Sequence, residues 1–115
     1  MKGAKFILAA AALYNLLIGG TALVGSHSTN EGRIVGLLVA CFGMVYAIVA
    51  TDAERFKPIL WAGVVGKAGV VLLVWSQVQA GLLPGYVGLV LLGDILFMVA
   101  FLAILVWPAQ RPASE

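Results

Sequence analysis

PILWAGVVGKAGVVLLVWSQVQA, residues 58–80, holds one charged side chain, Lys67, in 23 positions. At about 1.5 Å of rise per residue, a helix of that length crosses a hydrocarbon core of about 30 Å. Proline at its start suits the first helical position, where a backbone N–H is not needed. A membrane strand would be an alternating segment of about ten residues, and this run is too long and too uniform for one. Three further runs share its character, residues 5–24, 34–51 and 85–107. They are separated by GSHSTNEGR (25–33), polar and turn-rich, by DAERFK (52–57), a short charged loop, and by GLLP (81–84), a tight turn. Pro108 ends the last run.

The composition agrees with these four runs. Of 115 residues, 63% are hydrophobic and 10% charged, with a mean hydropathy of +1.08. A soluble domain is about a quarter charged, and no water-soluble shell can be built from less than half of that. The expected fold is all-α: a four-transmembrane-helix antiparallel bundle forming a single domain over residues 1–115. Lys2 and Lys5 precede an apolar stretch, as in a signal peptide. That stretch runs from Phe6 to about Val24 with no A-x-A site after it, so it reads as a retained first span.

Basic residues set the orientation. Lys2 and Lys5, Arg55 and Lys57, and Arg111 fall on one side; Arg33 and His27 fall on the other. Both termini are then cytoplasmic, and the chain is expected in the cell's inner (cytoplasmic) membrane as a multi-pass protein. Trp61 and Trp107 fall near the inner interface and Tyr86 near the outer one, as anchors do. With a net charge of +2 and no basic cluster, nucleic acid is not an expected partner. The expected partners are the lipid bilayer, a small apolar ligand and a second copy of the chain.

The residues that interrupt the apolar runs carry the functional information. They are Asn15, Cys41, Lys67 and Asp94, one per span. Counted from the cytoplasmic end, Asn15, Cys41 and Lys67 lie roughly 14–15 Å deep and Asp94 roughly 20 Å. Lys67 and Asp94 sit on consecutive helices joined by a short turn, so the helices are neighbours. One charge at mid-bilayer costs roughly 2.5–3.5 kcal/mol. The least costly arrangement pairs Lys67 with Asp94 toward the interior, with Asn15 near enough to hydrogen-bond. Tyr14, and Gly63 one turn before Lys67, complete the expected ligand-binding set, Gly63 by leaving room.

Small residues recur at helical spacing: Ala11, Gly19 and Ala22 around Asn15, then Gly36, Ala40, Gly43, Ala47 and Ala50, then Ala62, Gly66 and Gly69. Such stripes let helices approach closely. Cys41 is expected as a small core residue, and Asp52 and Arg55 as a surface pair. His27, alone in a loop, has no role assigned. No CxxC, HExxH, histidine cluster or phosphate loop is present, so no metal or cofactor is expected. Ser76 lacks a base beside it.

The second half resembles a family of small, largely uncharacterised bacterial four-helix integral membrane proteins. The resemblance rests on GMVYAIVATDAERFKPI (43–59), GVVGKAG (63–69), GLLP (81–84) and GDILF (93–97), with Tyr14–Asn15 also fitting. It implies the four-helix membrane fold and no activity. Family members carry Asn-Asp where this chain has Gly93–Asp94, so position 93 offers no side-chain hydrogen bond here. Three functions follow from the residues: binding or transport of a small apolar or weakly acidic molecule or of protons at Lys67, Asp94 and Asn15; an accessory subunit in which Lys67–Asp94 fixes helix register; and an intramembrane isomerase or cyclase with Lys67 and Asp94 as acid and base.

Overall fold

The structure, a computed structural model, describes residues 3–25 and 29–107. Lys2, His27, Pro108 and Arg111 lie outside the described residues. Those described are helical: α1 (Ala4–Val24), α2 (Asn30–Thr51), α3 (Ala53–Phe56), a 3-10 turn (Lys57–Ile59), α4 (Leu60–Gln79) and α5 (Tyr86–Val106). Four helical stretches are long and apolar enough to cross a membrane, the third running from Ala53 to Gln79. The chain divides into two compact units, Met1–Phe56 and Lys57–Glu115.

In the first unit α1 packs on α2 through small residues. A Cβ added to Gly19 would meet Ala40 N and Gly36 O, both at 2.5 Å. One added to Gly36 would meet Gly19 O at 2.7 Å, and one added to Gly43 would meet Ala12 O at 2.9 Å. Backbone lies against backbone, a spacing that only glycine permits. Contacts ascend along α1 (Ala12, Gly19, Ala22) as they descend along α2 (Gly43, Ala40, Gly36). The buried side of α1 is Ala4, Leu8, Ala11, Ala12, Asn15 and Gly19, a helical period. Hydroxyls on these helices bond within their own turn: Thr21 Oγ1 donates to Leu17 O and Thr51 Oγ1 to Ile48 O, each at 2.6 Å. An apolar helix surface leaves them no better partner.

α2 begins four residues earlier than the apolar run. Thr29 is its N-cap, its hydroxyl accepting from Gly32 N–H at 3.0 Å, and Glu31 sits in the first turn. The cap and the helix dipole outweigh the polar composition of 30–33. The expected loop at 52–57 is also largely helical. Asp52 is the break, and its carboxylate caps α3 by accepting from Arg55 N–H at 3.3 Å. This replaces the expected Asp52–Arg55 side-chain pair; the Arg55 guanidinium instead lies 5.3 Å from the Phe56 ring centroid. Pro58 stands in the 3-10 turn rather than at the first α-helical position.

Two expected small-residue stripes are corrected. Ala47 is exposed, and beyond Gly43 the buried side of α2 passes to Tyr46 and Val49, where larger side chains fill the space. Ala62 and Gly66 are exposed, and a Cβ on Gly66 or Gly69 would meet nothing within 4 Å. Cys41 is exposed as well, so it is no core residue. It lies off the side of α2 that carries Gly36 and Gly43, the side that meets α1.

In the second unit, α4 ends in a left-handed glycine. Gly81 has φ +74°, Gly81 N–H donates to Val78 O at 3.1 Å, and Leu82 N–H donates to Gln77 O at 3.0 Å. These two bonds are those of a Schellman cap, and glycine carries no Cβ penalty there. GLLP thus closes the hairpin. At the other end α5 stops at Trp107, whose backbone is extended, as the residue before a proline favours.

Candidate functional site

The second unit brings Lys67 and Asp94 together. Lys67 Nζ donates to Asp94 Oδ1 at 2.7 Å. Lys67 shares the buried side of α4 with Leu60 and Gly63. Gly63 is one turn before it, so no side chain projects from that step of the helix. Asp94 lies on the side of α5 that carries buried Leu91, Phe101 and Ile104. The side chains are 6% and 13% exposed, so the lysine is nearly sealed and the carboxylate less so.

Phe97 also lies beside the ammonium. Its ring centroid is 5.7 Å from Lys67 Nζ, a cation–π distance, and 6.4 Å from that of Phe101. The ammonium therefore meets a carboxylate and an aromatic face. Phe97 is three residues after Asp94 and so shares its side of the helix. That spacing was available in the sequence, but in an apolar run an aromatic at i+3 looks like ordinary packing. A second tie closes the far end of the same hairpin, where Lys57 Nζ donates to Trp107 O, the C-cap carbonyl of α5. A cation suits that end of a helix, where carbonyls lack partners.

The other expected site residues lie in the first unit. Asn15 is 5% exposed, and its amide donates to Val39 O on α2 at 3.2 Å. Gly36 and Gly43, three residues before and four after Val39, hold the two helices close enough for this short side chain to reach. Tyr14, beside it, is half-buried. Tyr46, fully buried on α2 with its ring 6.1 Å from that of Phe42, was not singled out by the sequence. Among the described residues, no three His, Cys, Asp or Glu side chains are grouped as metal ligands are.

An opposed ammonium and carboxylate in apolar surroundings can hold an ion or a polar headgroup, or pass a proton. Compared with family profiles, curated proteins and solved structures, the chain matches none of them.

Proposed function

We propose that the chain is a multi-pass protein of a bacterial inner membrane, a four-helix antiparallel bundle with both termini in the cytoplasm. Its Lys67–Asp94 pair binds or carries a small apolar or weakly acidic molecule, or protons, near the middle of the bilayer. The observation that supports this most is the 2.7 Å contact between opposite charges halfway along two apolar helices. Replacing a buried ion pair by apolar residues is often neutral or stabilising. A pair kept there is thus poorly accounted for by stability, whereas a site needs it. The incomplete burial of Asp94 leaves its carboxylate reachable.

A second function has its own support. The pair is closed, and the Lys57–Trp107 bond ties the same two helices elsewhere. Two ties at different heights suit a register-fixing clasp in an accessory subunit. The two functions part in proteoliposomes. Lys67→Met, Asp94→Leu and the double variant are compared for benzoate uptake and proton flux. A double variant that folds like wild type and has lost flux supports the site. A double variant that folds and retains flux assigns the pair to structure alone.

A further inference from the structure

Phe97 has no part in the binding function assigned above, yet it touches the same ammonium. Its ring centroid is 5.7 Å from Lys67 Nζ, while Asp94 Oδ1 is 2.7 Å from that nitrogen. The ammonium thus meets two partners on one side of α5, one charged and one not. They differ in what a proton does to them. Asp94 loses its charge when protonated, whereas an aromatic face attracts a cation through its quadrupole at any pH. The ring is also held independently of the ammonium. It packs at 6.4 Å between centroids on Phe101, fully buried one turn further along α5. The other titratable side chains among the described residues of this unit are Lys57, held at Trp107 O, and Tyr86, the first residue of α5.

We propose that Phe97 is a positioning residue: it holds the Lys67 ammonium in the hairpin while Asp94 carries a proton. This rests on the proton-carrying function assigned above to Lys67 and Asp94, and it adds how the pair survives its own discharge. A hydronium ion gives its proton to the Asp94 carboxylate. One O–H bond breaks, one forms on a carboxylate oxygen, and water leaves. The site then passes from a neutral ion pair to a single net positive charge, on Lys67, inside an apolar layer. A cation there is costly. The long lysine stem lets its head reach away toward water, and a carboxylate re-formed by proton release would then find no ammonium opposite. The Phe97 face, already within cation–π reach, lowers that cost and does not itself titrate. Its hold is stronger in the discharged state than in the paired one. In the pair, a carboxylate 2.7 Å from the ammonium cancels part of the field that the ammonium exerts at the ring. In the discharged state the ring meets the full charge.

The test uses the full chain with Phe97 replaced by a monofluorinated and by a trifluorinated phenylalanine. Fluorine draws electron density from the ring face and weakens its pull on a cation while changing the ring's shape little. Asp94→Asn stands in for the protonated carboxyl. In reversible unfolding, the trifluorinated ring is expected to lower the folding constant of Asp94→Asn about tenfold more than that of the wild type, the equivalent of about 1.4 kcal/mol. The monofluorinated ring is expected to fall between. In Lys67→Met/Asp94→Leu, which has no ammonium, fluorination is expected to leave the folding constant unchanged. Equal losses in Asp94→Asn and wild type, or a loss as large in the double variant, overturn the proposal and leave Phe97 as packing alone. If Asp94→Asn does not fold, proton flux through the fluorinated chains in proteoliposomes decides. Flux that falls in step with fluorination supports the positioning role, and flux that ignores it overturns that role. The two levels separate in the same experiments. A wild type that passes no protons, or a folded double variant that still passes them, removes the proton-carrying function, whatever fluorine does to stability. A proton flux that needs Lys67 and Asp94 but not an electron-rich ring removes the role of Phe97 alone.

Discussion

The two hairpins hold their helices together by opposite means. In the first, α1 and α2 meet at bare backbone, with Gly19, Gly36 and Gly43 all within 3 Å of neighbouring atoms once a Cβ is imagined on them. In the second, the glycines of α4 that face open space, Gly66 and Gly69, hold nothing, and the ties are Lys67–Asp94 and Lys57–Trp107. The difference teaches what a small-residue stripe means. It permits close approach but does not cause it; a facing stripe on the next helix is also required. α1 and α2 both present one. α4 presents Ala62 and Gly66 away from α5 and turns Lys67 toward it instead.

The comparison breaks most visibly at the charges. Lys67→Met leaves Asp94 without its cation and is expected to destabilise the protein by about 3–5 kcal/mol, whereas Lys67→Met/Asp94→Leu returns to wild-type stability or above. Reversible unfolding in mixed micelles measures both, and a double variant as unstable as the single would mean that the ion pair contributes net stability. Next in size, Gly19→Ala forces a Cβ against two backbone atoms of α2 and is expected to cost about 1–3 kcal/mol. The matching change in the other hairpin, Gly66→Ala, is expected to be neutral or to stabilise by up to about 1 kcal/mol through helix propensity. Equal losses at both glycines would erase the contrast between the hairpins. Gly81→Ala strains the left-handed cap by roughly 1–2 kcal/mol, read in the same unfolding assay. Smallest is Asn15→Leu, which removes the bond to Val39 O for about 0.6 kcal/mol, the usual size between membrane helices.

Much of this was legible in the chain itself. Long apolar runs, each with one distinctive residue near its middle, announce the helices, and the brevity of GLLP makes the last two adjacent. From adjacency and matching depth, Lys67 and Asp94 are each other's natural partners. The helix starts were less legible. Residues 30–33 and 53–57 are polar, yet Thr29 and Asp52 cap them into helix, and a cap acts through one side-chain oxygen that composition averages away. Phe97 was missed because an aromatic in an apolar run is common, and only its neighbours give it meaning. Cys41 was misplaced for the converse reason: apolar flanks imply burial in water but say nothing about which side of a membrane helix faces lipid.

The sequence by itself determined that there are four apolar helices, that the third and fourth each carry one opposite charge, and that a glycine turn joins them. Those facts are local, set by side-chain polarity and chain length against the thickness of a hydrocarbon layer. Only the tertiary structure decided which stripes of small residues are contacts, that Asn15 reaches a carbonyl on α2, and that Lys67 lies against Phe97 as well as Asp94. These depend on helix rotation and approach distance. Where every side of a helix is apolar, hydrophobicity does not choose between sides, and the choice passes to shape and to the few polar groups that need a partner.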